Sequence, residues 1–273
     1  AGAVAVPLPL PMRAVDPASF IEQSRGRLER VGAKLVTLPG SLQPMVGELG
    51  MGVRMIACEE LSSGGGLPPA PTAPEDIALV QFTSGSTSEP RGVTLTHGNI
   101  MANARAIARK AKVTHHDCVV SWMPLYHDMG LIGFLVTALS SGTSLVLMSP
   151  QRFVSDPALW MRALSDYRAT ITGGPNFSYA LSVRVLEGGG AGDVDLSSLR
   201  LALNGAEPVD PEAMDAFVRV GAAYGLKPEV PYPVYGLAEA TLAVTFPQPG
   251  KRYRVDHVSR EDIEERRTAT PAD

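Results

Sequence analysis

Between Ile77 and Tyr235 the chain alternates short, near-continuous apolar runs with segments of helical periodicity, and this alternation restricts the fold more than any other feature. Runs of strand length stand at 77–82 (IALVQF), 92–96 (GVTLT), 118–122, 144–148 (SLVLM), 169–172 and 199–203, with a last short strand or loop at 233–235. Apolar runs of this kind suit strands buried on both faces, as a parallel sheet requires. Between them, 97–112 carries Ile100, Ala104, Ile107 and Ala111 at helical spacing, with Thr96 as a candidate N-cap. Further helices are predicted from Asp156-Pro157 to about Tyr167, over 175–187, and from Asp210-Pro211 to about Ala223, with Pro in the first turn of each. The expected fold class is α/β, with largely parallel sheets flanked by helices. In such sheets ligands collect at the carboxyl ends of strands, so the chemistry is expected in the loops that follow them.

Upstream, 1–6 alternates like a strand before Pro7, Pro9 and Pro11, 17–30 has a helical pattern, and 33–38 (AKLVTL) is a short apolar strand ended by Pro39-Gly40. The segment 62–74 (SSGGGLPPAPTAP) is too rich in Gly and Pro to sustain helix or sheet and reads as a linker. It would divide an amino-terminal piece, 1–61, from a core, 75–250. A polar segment, 251–273, with six basic and six acidic residues closes the chain. The chain opens on Ala1 inside a strand-like run and closes on Asp273 in charged sequence, so both ends are expected to be cuts through a longer polypeptide.

A formal net charge of −4 leaves no basic excess to neutralise nucleic-acid phosphates. The longest apolar run, 131–139, is far short of the roughly 20 residues that cross a bilayer, and the apolar start, 1–12, lacks the basic flank of a secretion signal. Two cysteines, Cys58 and Cys118, cannot staple a domain of this size, which predicts a reducing, cytoplasmic compartment.

Four loops carry residues suited to chemistry. Thr83, Ser84, Gly85, Ser86, Thr87, Ser88, Glu89, Pro90, Arg91 and Gly92 place five hydroxyls and two glycines between two strand-like runs. Small residues let backbone N–H groups converge on an anion, and Arg91 adds a forked charge suited to phosphate. The pattern is not G-x-x-x-x-G-K-[ST], and a polar hairpin connection is the other reading. After the strand at 118–122 comes a His127-Asp128 pair, where His127 either lines a pocket or packs as a cap. Asn204-Gly205-Ala206-Glu207-Pro208 follows the strand at 199–203 and offers either a flat backbone for a planar base or an ordinary turn. In 235–241, Tyr235 can stack on a purine and Glu239 can hold Mg2+ through one oxygen, or a helix simply starts there. His115 and His116, expected on opposite faces of a strand, do not make a metal site. No G-x-S-x-G elbow occurs, and 188–192 follows a helix rather than the strand a dinucleotide fingerprint needs.

In this order and spacing, TSGSTSEPRG, LYHDMG, NGAEP and YGLAEAT resemble the motifs of the adenylate-forming superfamily, which holds acyl- and aryl-CoA synthetases, peptide-synthetase adenylation domains and luciferase. The wording of SWMPLYHDMGLIG, GGPNFSYAL, NGAEPV and YGLAEAT is most similar to the fatty-acid–AMP ligase branch, and the resemblance covers essentially the whole chain. It implies a large amino-terminal domain in which ATP and a fatty acid give acyl-adenylate and pyrophosphate, followed by transfer to the phosphopantetheine of an acyl carrier protein in a polyketide or lipid pathway. It further implies that Thr83, Ser84, Gly85, Ser86, Thr87 and Arg91 grip phosphates, and that Glu239 and Thr87 hold Mg2+. Gly205, Ala206, Glu207, Tyr235 and Gly236 would bind adenine. His127 and Glu239 would be catalytic, with His127, Asn176 and Phe177 beside the acyl substrate.

The sequence departs from the pattern at three positions. Arg91 stands where the loop lysine is common, Ser88 where Gly is usual, and Ala238 where Thr or Ser precedes the acid. The ribose-binding, hinge and carboxy-terminal lysine motifs do not occur in these residues, so the remainder of the polypeptide is an expected partner and this stretch alone is expected to lack turnover. The polar segment 251–273 is similar to the start of the insertion that marks acyl-AMP ligases. A fatty acyl-CoA ligase, with CoA as acceptor, and a non-catalytic fragment remain open alternatives.

Overall fold

Asp16 starts the first helix, α1 (Pro17–Arg30), by accepting from the Ser19 N–H at 2.9 Å, with Pro17 preset in the first turn. The computed structural model describes residues 2–9, 16–46, 52–61, 68–83 and 91–272. They fall into two compact units, Ala1–Asn99 and Ile100–Asp273. The division between the units lies within a helix, and residues 62–67 of the Gly/Pro segment 62–74 lie outside the described residues.

In the first unit, β1 (Leu35–Leu38) and β2 (Arg54–Ala57) pair in parallel, with single turns α2 (Gln43–Val46) and α3 (Cys58–Leu61) near them in sequence. β3 (Ile77–Thr83) and β4 (Arg91–Thr96) are antiparallel, from Ile77 opposite Thr96 to Thr83 opposite Arg91. The seven residues between them cannot make the crossover of a dozen or more that a parallel pair needs. The strand expected at 1–6 reduces to one bridge, Ala5 to Leu79, with Ala5 donating to Ala78 at 3.0 Å and accepting from Val80 at 2.9 Å. Pro7 and Pro9 have no N–H to carry a ladder further.

Helix α4 (His97–Lys110) opens on a reciprocal cap: Asn99 donates its N–H to Thr96 Oγ1, and Thr96 donates its N–H to Asn99 Oδ1, both at 3.1 Å. The second unit then builds the predicted sheet. β5 (Cys118–Ser121) leads through a π-helical stretch, Met129–Val136, and α5 (Thr137–Ser141) to β6 (Ser144–Leu147). α6 (Pro150–Ser155) and α7 (Ala158–Asp166) lead to β7 (Ile171–Gly174), α8 (Asn176–Glu187) to β8 (Leu201–Asn204), and α9 (Pro211–Gly221) to β9 (Pro231–Pro233). These five strands are parallel, in the order β6-β5-β7-β8-β9. A hairpin, β10 (Tyr235–Gly236) with β11 (Ala243–Thr245), and a capped turn of helix, α10 (Arg260–Arg266), follow.

The central strand β7 is buried throughout. A run of aromatic contacts crosses the core: Trp122 stacks on Phe153 with centroids 4.1 Å apart, Phe153 meets Trp160 edge-on at 5.5 Å, and Tyr179 lies 5.1 Å from Phe217. The Trp160 indole N–H is satisfied by Thr172 Oγ1 at 2.9 Å, so this large ring is buried without an orphan donor.

At the amino ends of the strands, Arg200 grips Asp117 at two points, Nε to Oδ1 at 2.7 Å and Nη2 to Oδ2 at 2.8 Å. Thr170 Oγ1 donates to the same carboxylate at 2.7 Å and the Thr114 N–H at 2.8 Å. The residues stand just before β5, β7 and β8, so one buried carboxylate ties three strands. Burial raises its pKa, but the Arg200, Thr170 and Thr114 hydrogen bonds outweigh that and hold it below the ordinary carboxylate value. His115 and His116 lie in the turn before β5 with ring centroids 3.8 Å apart, rather than on opposite strand faces. Among the described residues no helix is long and apolar enough to cross a membrane.

Candidate functional site

At the carboxyl ends of β8 and β9, and beside the loop after β5, lies a cavity of about 160 Å³. Ile107 of α4, Met129 and Phe134 of the π-helical stretch, Leu203 of β8, and Leu242 and Phe246 near β11 form its apolar walls. His127, Asp128, Ala206, Tyr235 and Gly236 supply its polar edge. The sheet thus delivers three of the four motif loops to one place: His127 after β5, Ala206 after β8, and Tyr235 and Gly236 after β9.

The His127 ring lies with Nδ1 2.8 Å from Asp128 Oδ1, and the Met129 N–H donates to the same carboxylate oxygen at 2.6 Å. Asp128 is the more buried of the pair. The Met129 N–H also lies 3.2 Å from Nδ1, so Asp128 and this amide together orient the imidazole and leave Nε2 to meet a ligand. Gly130 is required behind them, because a Cβ there would collide with the Pro124 carbonyl oxygen. This close approach lets the chain turn from β5 into the π-helical stretch within a few residues.

Also lining the cavity, Tyr235 is 60% exposed and Gly236 sits against the Leu242 carbonyl, with no room for a side chain. Two non-glycine residues here hold positive φ: Ala206 at 71° and Thr241 at 72°. Each such residue costs about 1–3 kcal/mol and persists only where its surroundings overdetermine it. For Thr241 the surroundings are visible. Asn103 of α4 donates through Nδ2 to Ala240 O at 3.3 Å and Ala243 O at 3.1 Å, and accepts from the Ala243 N–H at 3.0 Å. Asn103 belongs to none of the four motif loops. Its signal was a polar residue between Ile100 and Ile107 on the helix's apolar face.

Other expected site residues lie apart from the cavity wall. Asn176 spends its side chain internally, donating to Pro208 O at 2.8 Å and accepting from Asn204 Nδ2 at 2.8 Å and the Asp210 N–H at 2.9 Å. Glu207 accepts from the Asn176 N–H at 2.7 Å, so its carboxylate caps α8. Phe177 is 48% exposed and meets Trp122 edge-on at 5.7 Å. Gly205 packs against Val234, where a Cβ would lie 2.8 Å from the Val234 carbonyl oxygen. In the first unit, Thr83 and Arg91 face each other as the last pair of β3 and β4, and Ser84, Gly85, Ser86 and Thr87 lie outside the described residues.

Glu239 stands in a one-turn 3-10 helix, Ala238–Ala240, exposed and, among the described residues, without a hydrogen bond or ion pair. Among the described residues no three His, Cys, Asp or Glu converge on one point. A single exposed carboxylate is nevertheless a donor set that fits Mg2+, which takes one or two carboxylates and completes its shell with water and phosphate oxygens. Thr87, the expected second ligand, lies outside the described residues.

The profile of the AMP-binding enzymes matches residues 14–261. The chain is 41% identical over 174 residues, 63% of its length, to a medium-chain-fatty-acid–[acyl-carrier-protein] ligase of Teredinibacter turnerae, and covers 27% of that protein. It is 33% identical over 263 residues, 92% of its length, to a 4-hydroxyphenylalkanoate adenylyltransferase of Mycobacterium tuberculosis, and covers 42% of it. Its fold superposes with a TM-score of 0.86 and 32% identity on a fatty acyl-adenylate ligase from L. pneumophila solved in complex with acyl adenylate and pyrophosphate, over 100% of this chain and 48% of that one. The chain therefore spans between about a quarter and a half of the length of these relatives. Its strands, its strand-end loops and a match over nearly all its residues agree: the chain belongs to the AMP-binding enzyme family.

Proposed function

We propose that this chain is the nucleotide- and acyl-binding part of an enzyme that uses ATP to convert a fatty acid to its acyl-adenylate and passes the acyl group to an acyl carrier protein. One observation carries this proposal: an imidazole held by a carboxylate lines an apolar cavity together with a turn that bears a tyrosine and a glycine. The similarity to an acyl-carrier-protein ligase, and to an adenylate ligase solved with acyl adenylate and pyrophosphate, supports it.

In the reaction a carboxylate oxygen of the fatty acid attacks the α-phosphorus of ATP. The new O–P bond forms as the bond to the β-phosphate bridging oxygen breaks, and pyrophosphate leaves. Two anions must meet, so the protein's task is to neutralise charge and fix the line of attack. His127, held through Nδ1, donates from Nε2 to the fatty-acid carboxylate and restrains it for attack. Tyr235 covers the adenine ring, and Gly205, Ala206 and Gly236 present backbone to it at close range. Thr83, Arg91 and the hydroxyl-rich loop between them bind the pyrophosphate portion. Glu239 would hold Mg2+, which would supply positive charge against the phosphates when bound. In the second half-reaction a carrier thiol attacks the acyl carbonyl, loses its proton, and displaces AMP.

The test is fatty-acid-dependent exchange of labelled pyrophosphate into ATP by the intact protein. Exchange with medium- or long-chain fatty acids, followed by acyl transfer to a carrier thiol, is the expected result. Exchange driven by amino acids alone would refute the proposal, and thioester formation with free CoA alone would move the acceptor from carrier protein to CoA.

A further inference from the structure

The turn that bears Glu239 closes mainly on itself. Leu237 donates to Leu242 O at 2.8 Å, Ala240 to Leu237 O at 3.0 Å, and Thr241 to Ala238 O at 2.9 Å. None of these bonds says where the turn sits relative to the cavity. Asn103 does, because its three hydrogen bonds run from α4 to residues 240 and 243, on either side of strained Thr241. Four residues along the same face of α4, Ile107 lines the cavity. One helix face thus builds the apolar wall and anchors the acidic turn.

We propose that Asn103 is a positioning residue that fixes the Glu239 carboxylate for Mg2+-dependent adenylation. This rests on the adenylation role given above, which is what gives Glu239 its task. Asn103 touches no reacting atom. It holds a backbone segment whose left-handed residue would otherwise relax, and relaxation would carry Glu239 out of place. Only an amide has the right set of groups, since the site needs two donors for carbonyl oxygens and one acceptor for an N–H. Asp keeps the acceptor but turns a negative charge toward two carbonyls.

Asn103→Ala and Asn103→Asp in the intact protein test this through two separate readouts. Hydrogen exchange without nucleotide or metal is expected to accelerate in the 237–245 segment of both variants, with β7 and β8 as protected as in the parent. Fatty-acid-dependent exchange is expected to fall about 10–100-fold in kcat, with a higher half-saturating Mg2+ and an unchanged KM for fatty acid, as outer-shell metal partners behave. Unchanged exchange protection at 237–245 would overturn the proposal, as would loosening there with unaltered Mg2+ dependence. Uniform loss of protection across the sheet would also overturn it, because Asn103 would then be a general stability residue. Failure of the adenylation role itself is told apart without a variant, since the parent protein would then show no fatty-acid-dependent exchange.

Discussion

Asn176 Oδ1 accepts from the Asn204 side-chain amide at 2.8 Å, joining the first residue of α8 to the last residue of β8. With the Asp210 N–H and Pro208 O as further partners, this side chain ties α8 and β8 to the approach to α9. These bonds give Asn176 a structural task. Asn176→Ala leaves the buried Asn204 amide unsatisfied, which costs about 1–3 kcal/mol. Chemical denaturation should show that loss, while the order of preference across a series of fatty-acid lengths stays as in the parent.

His127 and Asp128 should behave as a unit of unequal members. On the proposed role, His127→Ala removes the donor to the substrate carboxylate, and loss of one such preorganised donor lowers kcat by about 10²–10³-fold. Asp128→Asn keeps the shape but weakens the hold on Nδ1, so a smaller loss is expected. Steady-state exchange assays on both variants check the order; equal activity in parent and His127→Ala would remove His127 from the reaction.

Gly236→Ala drives a methyl group into the Leu242 carbonyl and must open the β10–β11 hairpin. Overpacking of this kind costs about 1–3 kcal/mol. Because Tyr235 and Gly236 both edge the cavity, ATP affinity should fall along with stability. Titration of ATP in the absence of fatty acid measures the former and thermal unfolding the latter.

Asp117 sets an acid limit on stability. Its folded-state pKa lies below the ordinary carboxylate value, so its ion pair contributes in full above about pH 4 and is lost as pH falls through the folded-state value. Asp117→Asn strands Arg200 and should cost about 3 kcal/mol at neutral pH. Urea unfolding across pH 2.5–7 should find the parent's stability falling steeply on the acid side and the variant's curve flatter there.

Much of this was legible in the residues because burial writes itself into apolar runs. The strands of the parallel sheet, α1, and the Pro-led helices after it stand close to where the sequence places them. Strand-end logic also brought His127, Ala206, Tyr235 and Gly236 to one cavity. What escaped had no periodic signature. The π-helical stretch at Met129–Val136 is apolar on all sides and so has no face to read. Ala5 shows the reverse failure, an alternating pattern that prolines cut to a single bridge. Asn103, Asn176, and Asp117 with Arg200 act through partners 28 to 140 positions away, and only the folded chain identifies such partners.

The cavity lined by His127 and Tyr235 is proposed to hold the adenylate. A crystal structure of the intact protein with a non-hydrolysable acyl-adenylate analogue tests it most directly. Adenine between the 205–206 backbone and Tyr235, with the acyl linkage within hydrogen-bond reach of His127 Nε2, is the predicted result. An analogue bound elsewhere, with this cavity unaltered, would contradict it.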